Sequence, residues 1–350
     1  MVVCSRRIAV VSENLSPPLD EGFKKASVAL ATALSGLGSE VTVFTPDAPG
    51  LPVPTEPLPL NKLLTGSSFS RNLRNSKPDV ILYIPQSAAT PMSLIRTSCL
   101  RRLGGGIPVV MLSLQRRTYS PLVRPFLRSL APDLTLALSS GTVAILEEAG
   151  IKARRVPLGV DTGTFRPPAA GEKAALREKY GIGDGRVLLH VGHLSARRNL
   201  GLLKRTVADG WKLVIVSSTS TEQDTAIAQE LKDGSIVVIG RYIENIDEIF
   251  RLADAYVFPT FAEMGAIEIP LSVLEAMATN LPVVTTGFGG IPDLFRDGKG
   301  LYICSSEAEL ADRTREALGV EGVSTRQLVL GLGWDKVADT VIKTIESEIA

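Results

Sequence analysis

The chain has 350 residues, 45% of them hydrophobic and 21% charged, with a formal charge of +1. That length exceeds one compact core, so two domains of roughly 150 to 180 residues are expected. Every stretch of about 18 residues is broken by proline or charge, which argues against a spanning helix. Three cysteines (Cys4, Cys99, Cys304) and two histidines (His190, His193) argue against a disulfide frame and a histidine-based zinc site.

The amino end, MVVCSRRIAVVS, runs into a strand instead of a cleavage site, the pattern of a cytoplasmic protein. The small net charge conceals an asymmetry. Residues 1–165 carry 18 basic and 11 acidic side chains, and residues 166–350 carry 20 and 26. Between Asp79 and Asp133 stand Arg96, Arg101, Arg102, Arg116, Arg117, Arg124 and Arg128, with no acid among them. A basic half of this kind favours an anionic partner; nucleic acid is not expected to be that partner.

In chain order, short Val/Ile/Leu runs predict strands at 7–12, 40–45, 79–84, 108–113, 133–139 and 154–158. They lack strict alternation, as in a parallel sheet covered on both faces. Between them the pattern predicts helices at 23–37, 60–75, 91–103, 121–130 and 141–150, and the proline-rich span 46–59 predicts a surface loop. This order implies a doubly wound sheet. The segment VPLGVDTGTFRPP at 156–168 has prolines on both sides and reads as a linker. The expected division is therefore 1–165, then 170–332, then a terminal amphipathic helix within 333–350. Strands of the second domain are predicted at 187–191, 212–217, 236–239, 255–258, 282–286 and 301–304.

Two stretches of the second half carry chemistry. In GHLSARRNLGLLKRTVADG, Asn199 suits an N-cap, which sets Arg197 and Arg198 ahead of a helix's positive end. Two cations there are disfavoured by roughly 0.3 to 1 kcal/mol each unless an anion shares the site. The misfit points to a diphosphate, since guanidinium forks and helix N-termini both bind phosphate. In the second stretch, 253–304, Glu275 sits in the apolar run 269–277. Burying such a carboxylate unpaired costs several kcal/mol, so it must face water or accept strong hydrogen bonds, as from a ribose.

These stretches resemble glycosyltransferase family 4, the retaining nucleotide-sugar glycosyltransferases of the GT-B fold. The resemblance implies two Rossmann-like domains facing each other across a cleft, with the terminal helix crossing back to the first. In SVLEAMATNLPVV, Glu275 matches the second glutamate of the family's Glu-x7-Glu motif, which holds the donor ribose; Ile267 stands at the first, with Glu268 one position later and Glu263 four positions earlier. Glu268 is then the candidate for the sugar contact. Ile269, Pro270 and Leu271 belong to the same donor segment, and Gly289 and Gly290 match the family's Gly-Gly-Ile-Pro loop. The family's Gly-Arg-Leu pattern followed by a lysine becomes Gly192-His193-Leu194 and Arg198, so Arg198 and His193 are the catalytic candidates that would stabilise the leaving diphosphate. His193 can equally be a loop histidine without a role. Arg241 falls at the base-binding edge. Gly22 occupies the place of a family glycine that approaches donor phosphates or acceptor, and an ordinary loop accounts for it as well. Leu114 and Gln115 stand where many relatives have a histidine.

The resemblance implies transfer of a hexose from a UDP- or GDP-sugar to an acceptor, with retention and with neither metal nor cofactor. Arg116, Arg117, Arg124 and Arg128, interleaved with Leu122, Val123, Phe126, Leu127 and Leu130, read either as a water-facing helix or as a surface for membrane lipid or a phosphate-bearing acceptor. Two rival functions stand beside transfer. One is a sugar-nucleotide epimerase on the same fold, which the scarcity of histidine disfavours. The other is a catalytically silent scaffold or sensor, suggested by Ile267, His193 and Gln115.

Overall fold

The computed structural model describes residues 6–46, 50–59, 61–86, 88–207, 210–218, 224–231 and 235–349. The chain divides into two compact units, residues 1–159 with 334–350, and residues 160–333.

Among the described residues the first unit holds seven strands: β1 Arg7–Val11, β2 Glu40–Thr45, β3 Thr55–Pro57, β4 Val80–Tyr83, β5 Val109–Ser113, β6 Leu134–Ala137 and β7 Ala153–Arg155. They pair in the order β3-β2-β1-β4-β5-β6-β7, all parallel, with Ile8 opposite Val41 on one side and Val80 on the other. Strands β4, β5 and β6 are buried throughout, which is why their sequences are apolar apart from Ser113 and Thr135. The helix Trp334–Ile349 packs on the helix Gly22–Gly36 and buries Val337, Val341, Ile342 and Ile345. Gly159 lies against Trp334 so closely that a Cβ there would fall 2.6 Å from the indole.

Three sequence expectations need revision. Part of the span expected as loop forms the edge strand β3. The helix expected from 60 begins at Ser67, after a turn in which Asn61 Oδ1 accepts from the Thr65 amide at 3.0 Å; residue 60 itself lies outside the described residues. The helix expected at 121–130 is a 3-10 turn, Pro121–Val123, leading into the short helix Arg124–Ser129.

The second unit holds β8 Arg186–Val191, β9 Trp211–Val216, β10 Ile236–Ile239, β11 Ala255–Phe258, β12 Val283–Thr286 and β13 Leu301–Cys304, in the order β10-β9-β8-β11-β12-β13 and again all parallel. Each unit is a Rossmann-like, doubly wound sheet. In such sheets the chain reverses its direction of winding between two neighbouring strands, and the loops there part to leave a crevice at the strands' carboxyl ends. The reversal falls between β1 and β4 in the first unit and between β8 and β11 in the second.

Candidate functional site

The loops after β8 and β11 flank the second unit's crevice, and both carry residues singled out by the sequence. After β8 the chain makes a 3-10 turn, Ala196–Arg198, and enters the helix Leu200–Thr206. Asn199 does not cap that helix with its side chain. It adopts the left-handed conformation (φ 54°), and its Nδ2 donates to Glu307 Oε1 at 3.0 Å.

Arg197 and Arg198 diverge. Arg197 is exposed and lines a groove of about 380 Å³ with Ala196, Phe261, Ala262, Ser305 and Glu307. Arg198 turns inward, is 6% exposed, and lies over the Phe258 ring at 5.5 Å. Among the described residues no carboxylate pairs with it, and its Nε is buried without a hydrogen-bond partner. Burial pulls its pKa down to about 10, with only the Tyr256 phenol opposing.

Around Arg198 other polar atoms are likewise unmatched. His190, wholly buried, is fixed by a 2.9 Å contact between Nδ1 and the Val257 carbonyl, so Nδ1 donates and Nε2 carries the lone pair. That Nε2 has no partner, nor has the buried Oγ1 of Thr260 at the end of β11. Desolvation first, then the Arg198 and His193 charges, holds His190 near a pKa of about 3, so it is neutral. Gly192 sits between these groups: a Cβ there would stand 3.1 Å from His190 Nε2 and 3.2 Å from Arg198 Nη1. The half-buried His193 follows it.

The β11 side supplies the second half. Gly265 packs against Thr260 and the Arg197 carbonyl, joining this loop to the arginine turn. Ile267, Glu268, Ile269 and Pro270 are buried and lead into the helix Leu271–Ala278, where Glu275 is 5% exposed. After β12, Gly289 adopts φ 54°, and a Cβ on it would fall 2.3 Å from the Glu268 carbonyl. Gly290 N–H donates to that same carbonyl at 2.8 Å. Glycine is required at 289 by both conformation and contact, and the loop it forms closes over Glu268.

Tyr256 connects the two halves. Its hydroxyl donates to Ser272 Oγ at 2.7 Å and accepts from the Val191 amide. Burial drives its pKa well above the ordinary value, the Arg198 charge opposing and the Glu275 charge adding. The guanidinium and the carboxylate thus both bear on one phenol, and the sequence stretches that hold them meet there. Composition and motif gave no sign of His190, Tyr256 or Thr260, whose significance comes from tertiary contacts across β8 and β11.

The remaining candidates lie elsewhere. Arg241 is exposed beyond the edge strand β10, where its charge acts on Tyr180. Gly22 opens its helix in the first unit, beside Glu21, whose carboxyl burial raises, and Lys24, whose Nζ donates to the Ser16 carbonyl at 2.8 Å. At the first unit's own reversal, Glu13 accepts from Tyr83 Oη at 2.6 Å, from the Gln86 amide at 2.9 Å and from Arg96. Among the described residues no group of three His, Cys, Asp or Glu side chains is arranged to hold a metal ion.

A family model described as Glycosyl transferases group 1 matches residues 185–319, and one described as Glycosyltransferase Family 4 matches residues 24–164. The chain belongs to glycosyltransferase family 4. This glycosyltransferase is 26% identical to the sulfoquinovosyl transferase of Arabidopsis thaliana over 97% of its own length and 72% of that relative. It is 26% identical to a GDP-mannose-dependent alpha-mannosyltransferase of Mycobacterium tuberculosis, over 99% and 97% of the two chains. Among solved structures, Anabaena HepE in complex with UDP and glucose superposes with a TM-score of 0.78 at 15% identity, covering 98% of this chain and all of that one. That likeness speaks for the fold, the two-domain α/β GT-B architecture. Transfer of a glycosyl group is the chemistry of this family member.

Proposed function

We propose that the second unit binds a UDP- or GDP-hexose and that the sugar is transferred with retention of anomeric configuration. One observation carries this reading: Arg198 is buried without a counter-charge among the described residues, and its Nε has no hydrogen-bond partner. A diphosphate would supply the missing anion. In this reading Arg198 and His193 hold the leaving diphosphate, and Glu275 takes the ribose hydroxyls. Glu268 faces the sugar, Ile269, Pro270, Leu271 and the Gly289-Gly290 backbone wall the site, and Arg241 lies toward the base. Charge developing on the leaving group is stabilised by fixed cations in a desolvated pocket, which favours an oxocarbenium-like transition state without a metal. The solved relative with UDP and glucose, and the mycobacterial relative named for GDP-mannose, support this donor class. For the acceptor, the arginine-rich first unit favours an anionic or lipid-linked glycan met at the cytoplasmic face of a membrane.

The test is a panel of UDP- and GDP-sugars incubated with the purified chain, measuring release of free UDP or GDP and reading the product's anomeric configuration by NMR. Failure to bind every nucleotide-sugar would refute the reading. Binding without turnover, lipid-phosphate acceptors included, would establish the silent module instead, the alternative favoured by Ile267 at the place of the first motif glutamate.

A further inference from the structure

Ordinary amphipathic helices hide their apolar side and wet their charges. The stretch after Ser120 wets apolar side chains as well. In the 3-10 turn Pro121–Val123 and the helix Arg124–Ser129, Leu122 is 91% exposed, Phe126 57% and Val123 40%, while Leu127 turns into the core of the first unit. Leu122 and Phe126 stand four residues apart, the spacing that sets side chains on one helical face. Pro121 and Pro125 stiffen the segment that presents them. Around this apolar knob the segment's own charges are all arginines. Arg117 and Arg128 are exposed and make no ion pair among the described residues, and the aliphatic part of Arg128 lies against Gly150. Arg124 pairs with Glu148 at 3.0 Å, a solvent-facing contact that a phosphate can replace. No acid occurs between Asp79 and Asp133.

We propose that this segment docks on an anionic lipid bilayer, with Leu122, Val123 and Phe126 entering the headgroup boundary and Arg117, Arg124 and Arg128 engaging lipid phosphates. Protruding apolar side chains ringed by guanidinium groups fit an interface that is apolar below and anionic at its surface. A protein partner would need a concave acidic surface, whereas a bilayer accepts a knob of any outline. The proposal deepens the acceptor reading above, since a lipid-borne acceptor is met at that surface. Its test is lipid binding without donor, so its failure leaves glycosyl transfer standing.

The experiment is flotation of the full chain with vesicles of phosphatidylcholine alone and of equal parts phosphatidylcholine and phosphatidylglycerol. The wild type is expected to float with the anionic vesicles and not with the neutral ones. Leu122→Ser with Phe126→Ser should lower the partition about tenfold or more at an unchanged melting temperature, because both side chains already face water in the folded chain. Arg117→Glu with Arg128→Glu should abolish the preference for phosphatidylglycerol. Equal recovery with both vesicle types, recovery with neither, or undiminished binding by the serine variant would each overturn the proposal. So would a dimer on gel filtration that the serine variant dissolves, which would make the face an interface between copies.

Discussion

Arg198→Met separates stability from function at this site. Burial takes the guanidinium from its ordinary value down to about 10. At 1.36 kcal/mol per tenfold change in proton affinity, that corresponds to roughly 3 kcal/mol against the charged form at neutral pH. Methionine fills a similar volume without charge. It forfeits the contact with the Phe258 ring, worth about 0.5 to 2 kcal/mol for a cation, and regains part of it through sulfur. The net expectation is a gain of about 2 kcal/mol, or roughly 4 to 8 °C in melting temperature for a unit of this size. Adding UDP should raise the melting temperature of the wild type and leave the variant unmoved. Calorimetry of both chains with and without nucleotide reads all four numbers. A variant less stable than wild type, or one that UDP still stabilises, would mean that the arginine is satisfied within the protein and that no diphosphate is called for.

Four further outcomes follow from the same geometry. Gly289→Ala forces a Cβ to within 2.3 Å of the Glu268 carbonyl at φ 54°, so a loss of about 1 to 2 kcal/mol from conformation alone is expected; weaker nucleotide-sugar binding by calorimetric titration should accompany it, and unchanged binding would detach the loop from the donor. Glu275→Gln should weaken donor binding about tenfold with the fold intact, and equal affinity would remove the ribose contact. His190 has a folded pKa of about 3 against 6.5 unfolded, so the unfolded chain binds the extra proton between those values; this contribution to stability is complete above pH 6.5 and falls below it by up to about 1.4 kcal/mol per pH unit. Urea midpoints measured across that range should show a shallower decline for His190→Gln. Transfer activity should survive EDTA, and its loss with rescue by magnesium would contradict charge neutralisation by Arg198.

The parts of this molecule that were legible in its sequence are those written in local pattern. Strands β4, β5, β8 and β11 are buried on both faces, so their apolar runs stood out, and the expected boundaries fall within two residues of the observed ones. The Gly289-Gly290 loop and Glu275 belong to short contiguous motifs. Asn199 shows where local pattern misleads. Its residue type suits an N-cap, but the left-handed backbone and the bond to Glu307, 108 residues away, take its side chain elsewhere. Long-range pairing also explains why His190 and Tyr256 were silent, since each gains its meaning from a neighbour on another strand or helix.

The two arginines of one turn show how the fold sorts chemistry that the sequence leaves undivided. Adjacent in the 3-10 turn, they differ because one faces the groove and the other lies over the ring of Phe258. Gly192 is the condition for that second orientation, since any side chain there would press on both His190 and Arg198. A guanidinium held in so dry a place destabilises the fold by itself, as does the orphaned His190 Nε2 near it. A cation buried without a counter-charge at the reversal between β8 and β11 is hard to account for as packing. The proposed diphosphate would supply the counter-charge that the folded chain leaves out.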